Sequence, residues 1–239
     1  MKNIIVVLHQ PRDPRNIGAV VRAMLNTGVH HLRLVDPCPF EPEVITAVAH
    51  RPEPVLANLA VYPDLQQAIA DIQHLVGTTD RPHPNLPWRT DIRQWAGEIR
   101  QRATRFGPVA ILFGSEGNGL SRRELSLCHE IIGIPMAPEY PVLNLAQAVL
   151  ITLYELQQAS PPSPPSPGTA EPPASLAALD TLASILDELI TATNFVKSGN
   201  GYALRHRLRA IMTRAALSER DAAILTALLR EAVRRVRER

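Results

Sequence analysis

Between Val109 and Leu156 an apolar run ends in the turn Gly114-Ser115-Glu116-Gly117-Asn118-Gly119-Leu120. A second apolar run ends in Ile134-Pro135, and a loop then delivers Leu143-Asn144 into an apolar helix. Glycines at 114, 117 and 119 permit positive φ and close backbone approach to a ligand, although an ordinary tight strand-to-helix turn uses the same residues. A phosphate-cradling loop is the obvious rival. No Lys-Ser/Thr pair follows, however, the GxGxxG order is absent, and the Glu116 carboxylate would repel phosphate. A cradle for a neutral or cationic ligand suits the charge better.

The second stretch with chemical content is Pro11 to Met24. Asn16 is placed to cap the helix it precedes, and Gly18 lets that first turn approach another backbone. Arg22 follows on a face otherwise made of Ala19, Val20 and Val21. Two readings stand side by side: a cap and a solvated arginine, or a polar pair that meets the glycine turn at the strand ends. In the second reading Arg12 and Arg15 form a phosphate-attracting lip. Asn144 likewise reads as a helix cap or as a side chain aimed at a substrate hydroxyl; without company the cap is favoured. Cys128-His129 lacks partners at metal-ligand spacing, so the expectation is no metal, and no Ser/His/Asp set recommends itself as a nucleophile.

The elements that must position these residues follow from pattern. Ile4 to His9 is continuous and β-branched, as in a strand buried on both faces of a parallel sheet. A helix is expected from about Ile17 to Asn26 with Gly28 as its left-handed stop, then strands at His31 to Val35 and Ala57 to Tyr62 around a short helix at Glu43 to Ala49. Asp64 to Asp71 reads as a helix capped by Asp64 and His74 to Thr79 as a strand. The proline-rich stretch from Arg81 to Trp88 reads as irregular. Asp91 to Arg105 reads as an amphipathic helix, Val109 to Phe113 as a buried strand and Asn144 to Gln158 as a helix. Strands alternating with helices at this spacing predict an α/β fold with a mostly parallel sheet. Ligands of such folds sit outside the carboxyl ends of the strands, where the turns after Thr78, Gly114 and Pro135 fall.

From Ser160 to Ala174 the chain carries seven of its 22 prolines, the composition of a semi-rigid linker. The expected organisation is therefore a domain over 1–159, a linker over 160–174 and a small unit over 175–239. That last unit should hold helices at Leu176 to Thr193, about Ala203 to Ala215 and Glu219 to Arg237, with a break at Gly199 to Gly201. It holds 11 Lys/Arg against 7 Asp/Glu, whereas the whole chain of 239 residues has a net charge of only +2. Basicity is thus concentrated in the tail. Arg205, Arg207, Arg209 and Arg214 lie on a short arc suited to an RNA backbone, or equally to a solvated helix face. Two cysteines give no disulfide framework and fit a reducing compartment. The start of the chain lacks the apolar core and cleavage site of a signal peptide, and no stretch approaches the roughly 18 apolar residues of a membrane span. The expectation is a cytoplasmic protein with no membrane contact.

Taken together, Asn16-Ile17-Gly18 with Arg22, the Gly114 to Leu120 turn, and Ile134-Pro135 followed by Leu143-Asn144 resemble the three sequence motifs of the SpoU/TrmH family of SPOUT RNA 2′-O-ribose methyltransferases. Pro138 to Leu156, the Gly77-Thr78-Thr79 segment after a strand, and Thr193 to Phe195 with Leu208 to Ala215 look like the TrmJ-type tRNA methyltransferases of that family. The resemblance implies a SPOUT-like parallel sheet with a C-terminal trefoil knot, a small all-α C-terminal domain and a homodimer. It implies S-adenosylmethionine as cofactor, with Thr78, Thr79, Gly114, Ile134, Val142 and Leu143 lining its pocket largely through backbone groups. It makes Arg22 the catalytic arginine, supported by Asn16, Glu116 and Asn144. It implies tRNA as the partner, methylated on a ribose in the anticodon loop at position 32. Methylation of rRNA, or a non-catalytic RNA-binding role, are the alternatives, and the joint presence of Asn16, Arg22, Glu116 and Asn144 favours the enzyme. The sequence departs from the family's pattern at Val142, where serine is usual; a lost net hydrogen bond there costs about 1 kcal/mol. It departs again at Asp80-Arg81, which changes the charge at the lip of the pocket.

Overall fold

Six consecutive residues, Ile4–His9, form the first strand, β1, and all but the last are buried. The computed structural model describes residues 1–84, 86–159, 171–196 and 201–238. After β1 come α1 (Pro14–Thr27), β2 (His31–Val35), α2 (Pro42–Val48), α3 (Glu53–Leu56), β3 (Leu59–Tyr62), α4 (Leu65–Ile69), β4 (His74–Thr78), β5 (Trp88–Arg89), α5 (Ile92–Arg105), β6 (Val109–Phe113), α6 (Arg122–Leu125), β7 (Glu130–Ile132) and α7 (Leu145–Gln158). These elements belong to one compact unit, residues 1–168. The expected α/β class is the observed one: a seven-stranded sheet in the order β3-β2-β1-β6-β4-β7-β5, every pair of it parallel.

Alternate residues of the central strands feed opposite faces, as the pleat requires. Ile4, Val6 and Leu8 of β1 and Val109, Ile111 and Phe113 of β6 join one buried cluster with Ile17, Val20 and Met24 of α1, Trp95 and Ile99 of α5, and Val149 and Leu153 of α7. Each fully buried aliphatic side chain contributes roughly 1.5–3 kcal/mol. The exposed Arg93–Glu155 pair between α5 and α7, at 3.3 Å, belongs to a class worth roughly 0–1 kcal/mol. Aliphatic burial, not ion pairing, holds these three helices to the sheet.

Several boundaries differ from the sequence reading, each for a local reason. Helix α1 begins before Ile17: Asp13 is its N-cap, its side chain accepting from Arg15 N, and Pro14 occupies the first turn. Asn16 is therefore a first-turn residue and not the cap. Trp88, expected in irregular chain, opens the two-residue strand β5, paired with β7 through Ile131. Proline is tolerated beside such an edge strand because its missing N–H faces outward. The four-residue helices α3 and α6 carry too few apolar positions to show a period. Asp64 does cap α4, accepting from Gln67 N at 2.8 Å, and Gly28 closes α1 at φ 69°.

The second compact unit spans residues 169–239 and contains α8 (Leu176–Ala192), α9 (Gly201–Arg214) and α10 (Glu219–Arg237). Leu176, Leu179, Leu182 and Ile185 form the buried stripe of α8, and α10 contributes Ala222 and Val233. The two helix starts are tied together: Ala174 N donates to Leu217 O at 2.7 Å and Ser175 N to Glu219 at 2.7 Å. Most of the expected linker, residues 160–170, lies outside the described residues, as does the expected break up to Asn200.

A Cβ at Gly28 would meet nothing within 4 Å, so only the left-handed backbone penalises a side chain there. Gly28→Ala should lower stability by about 1 kcal/mol in a denaturant titration, and Gly28→Asn by less.

Candidate active site

Strands β1 and β6 lie side by side at the centre of the sheet, with β2 and β3 beyond one and β4 and β7 beyond the other. The order of strands reverses between them, the place where α/β sheets open a crevice at their carboxyl ends. The chain leaves β1 through Gln10, whose φ of 52° is costly for a residue with a side chain, of order 1 kcal/mol. Gln10 N is held there by Val35 O at 2.8 Å. The chain leaves β6 through Gly114, where a Cβ would stand 2.1 Å from the Gly119 carbonyl carbon. No other residue fits, because the turn folds back on itself: Gly119, at φ 64°, donates its N–H to Ser115 O at 2.9 Å.

That fold-back presents Glu116 to the β1 loop. Its carboxylate accepts the N–H of Arg12 at 2.9 Å, the N–H of Asp13 at 3.3 Å and the Asn16 side-chain N–H at 2.9 Å. Asn16 Oδ1 in turn accepts from Asn144 Nδ2 at 3.0 Å, and Asn144 Oδ1 caps α7 by accepting Ala146 N at 2.9 Å. Three of the four expected catalytic residues thus form one hydrogen-bonded chain across three loops. Partial burial pushes the Glu116 carboxyl up, but the bonds from Asn16, Arg12 and Asp13 outweigh it and hold the group below the usual carboxylate range. Arg22 stands apart from this chain. It is exposed on α1 and donates only a long 3.4 Å bond to Val48 O.

Beside the chain is a cleft of about 640 Å³, and Thr78, Thr79, Gly114, Ile134, Val142 and Leu143 all line it. The Thr78 hydroxyl donates inward to Leu112 O at 3.0 Å, so this residue meets the cleft without offering that donor. Val142 is 59% exposed, so the apolar side chain leaves no buried polar atom unpaired at this position. Asp80, Arg81, Glu116 and Arg122 are the charges on the wall. Sequence reasoning missed Arg122, which lies in the unread α6, and the cap at Asp13, which the Asp13-Pro14 pair signals.

The basic residues divide. Arg12 extends over the glycine turn, Nη1 lying 3.7 Å from where a Cβ of Gly117 would be, whereas Arg15 is paired with Asp13 at 2.8 Å. In the helical unit Arg205 pairs with Asp187 at 3.2 Å and the largely buried Arg209 with Asp180. Those two fasten α9 to α8. Arg207 and Arg214 are exposed. Among the described residues no group of three His, Cys, Asp or Glu is placed to hold a metal ion, and burial pushes the Cys128 thiol far up. No described helix is long and apolar enough to cross a membrane.

A seven-stranded parallel sheet with a glycine turn and a polar relay at its switch point defines an α/β ligand-binding fold, and the comparisons name its family. Residues 3–154 match the SpoU rRNA Methylase family. The chain is 33% identical over 235 residues to the tRNA (cytidine/uridine-2′-O-)-methyltransferase TrmJ of Cronobacter sakazakii, covering 96% of this chain and 95% of that one. It is similar to the crystal structure of TrmJ from Z. mobilis ZM4, with a TM-score of 0.82, 29% identity and coverage of 95% and 97%. A probable methylase family protein from Haemophilus influenzae Rd KW20 follows at a TM-score of 0.63, 27% identity and coverage of 98% and 97%. The chain belongs to the SpoU methylase family.

A carboxyl with a depressed folded-state pKa stabilises fully above its ordinary value and loses that contribution as pH falls through the lower one. In an acid titration followed by NMR, the Asn16 side-chain amide resonance, which reports on Glu116, should move with a midpoint below the ordinary glutamate value. In Glu116→Gln that movement should be lost, and a midpoint at or above the ordinary value contradicts the assignment.

Proposed function

We propose that this protein transfers a methyl group from S-adenosylmethionine to a ribose 2′-hydroxyl of tRNA in the anticodon loop, at position 32. The observation that carries the reading is the Glu116–Asn16–Asn144 chain at the mouth of a cleft lined by all six residues assigned to the cofactor. It is supported by the activity named for the C. sakazakii relative. The cofactor is assigned to this cleft for its volume, which lies in the range of small-molecule sites, and for the whole Gly114 to Leu120 turn along its wall. The charges on its wall are balanced, Glu116 and Asp80 against Arg81 and Arg122. When bound, the cofactor supplies an electrophilic methyl on a sulfonium, so the S–CH₃ bond breaks as the O–CH₃ bond forms and the hydroxyl proton leaves to solvent.

The chain's own residues do the rest. Asn144 and Asn16 are locked by their mutual bond, so their remaining polar edges are fixed in direction. Arg22 has no ion-pair partner among the described residues, and a guanidinium carries a permanent charge. It therefore orients the ribose and stabilises negative charge developing on the attacking oxygen, in preference to acting as a base. Arg12 and Arg15 face the RNA backbone, and Arg207 and Arg214 of the helical unit dock the tRNA body, while Arg205 and Arg209, paired with Asp187 and Asp180, hold α9 in place beneath them. On this reading 1–159 is the catalytic domain, 160–174 the linker and 175–239 the docking domain. A second copy covers the apolar surface that exposes Tyr140, Leu150 and Tyr154, and the protein works in the cytoplasm with tRNA.

Unmodified tRNA incubated with protein and cofactor, digested and mapped by mass spectrometry, should carry a single 2′-O-methyl group in the anticodon loop. Methylation of rRNA alone, or of no RNA despite cofactor binding, contradicts the tRNA assignment. Arg22→Ala should lower kcat by at least a hundred-fold, of the order seen when one charge-stabilising donor is removed, with cofactor affinity unchanged. Equal loss of both would make Arg22 structural.

A further inference from the structure

Trp88 is used by none of the roles above. It is 41% exposed, whereas the chain's other tryptophan, Trp95, is completely buried. Its backbone is rigid, because Ile131 N donates to Pro87 O at 2.9 Å and Gly133 N to Arg89 O at 2.8 Å, fixing β5 on both sides of the indole. The ring is seated close against Gly133: a Cβ there would lie 2.8 Å from Trp88 Nε1 and 3.1 Å from Thr79 O. The glycine lets the indole lie on the backbone of β7 and leaves the ring's outer part open to solvent. Thr79 also lines the cofactor cleft, so the exposed indole stands next to that cleft at the carboxyl ends of β4 and β7.

Three exposed guanidinium groups stand on this side, with Asp80 as the acid among them. Arg122 lines the cleft, and it and its neighbour Arg123 are exposed, with no ion-pair partner among the described residues. Arg81 reaches Asp80 only at 3.4 Å and is itself 85% exposed. A rigid aromatic surface accompanied by exposed cations is what single-stranded RNA requires: unstacked bases settle on aromatic faces while the backbone follows positive charge. An apolar protein partner would gain nothing from three guanidinium groups.

We infer that Trp88 is a stacking platform for an unpaired base of the RNA substrate, with Arg122 and Arg123 taking the adjoining phosphates. The inference rests on the methyl-transfer reading and adds to it a residue that sets how the target nucleotide is presented. Trp88 makes no contact with reacting atoms; it is a binding and positioning residue. Stacking accepts any base, so the platform predicts a requirement for an unpaired loop and weak preference for base identity at the stacked position.

Tryptophan emission tests this directly, because Trp95 is shielded and Trp88 is not. Titration of the full-length protein with an unmodified anticodon stem-loop RNA should quench the emission, and an equally long fully paired RNA should quench it much less. Trp88→Leu, which keeps the apolar cover over Gly133 but cannot stack, should abolish the quenching. It should also raise KM for tRNA roughly ten-fold, leaving S-adenosylhomocysteine affinity unchanged. Trp88→Tyr should restore most of the KM. Absence of quenching in the wild type, an unaltered KM in Trp88→Leu, or a parallel loss of cofactor affinity in that variant overturns the platform. A wild type that quenches with the stem-loop but methylates no RNA leaves the platform standing and refutes the methyl-transfer reading instead.

Discussion

A single carboxylate ties the loop after β6 to the loop after β1 at the point where a ligand site opens. Glu116 accepts two backbone N–H groups from the loop after β1 and a side-chain N–H from α1. Those amides belong to the N-cap of α1 and the residue before it, where no intrahelical partner exists. The turn that carries Glu116 can approach them only because Gly114 and Gly119 pack backbone against backbone. Without the glycines the carboxylate would stand off from β1, and without the carboxylate the amides of Arg12 and Asp13 would be unpaired. Charge-assisted bonds of this kind are about twice as strong as neutral ones, which is why the group stays ionised despite its partial burial.

From that clip the rest of the proposed site is arranged in two layers. Asn16 and Asn144 pass the orientation on to α7, so that the start of this helix, the β1 loop and the β6 turn behave as one polar unit. The cleft beside it is lined mainly by apolar walls and backbone, with its carboxylates near the turn. Arg22 is held by neither layer. A residue that must meet a substrate from outside is best left unpaired by its own fold, since an arginine committed to a partner has to lose that partner first. The helical unit illustrates the opposite choice. Arg205 and Arg209 were grouped by sequence with Arg207 and Arg214, yet they are spent on Asp187 and Asp180 in packing α9.

Much of this was readable in the chain. β1 and β6 are unbroken apolar runs, and burial on both faces of a parallel sheet leaves that signature. The caps at Asp64 and Asn144 obey side-chain chemistry that acts within three residues. What escaped was either too short or too distant. Strand β5 is two residues in a proline-rich stretch, and nothing local reveals that β7 is waiting to pair with it. Asn16 looked like a cap because it precedes the apolar run, whereas Asp13 with Pro14 starts the helix one turn earlier. The role of Glu116 depends on contacts about 100 residues away, and no periodicity encodes those; only the resemblance of motifs brought the residues together beforehand.

The central claim is that three separate loops form one cofactor site. Hydrogen exchange of the intact protein with and without S-adenosylmethionine tests it most directly. Joint protection of the amides in residues 77–79, 114–120 and 133–145, with the helical unit unchanged, is the predicted result. Protection confined to one of these loops, or appearing only among residues 171–238, would contradict it.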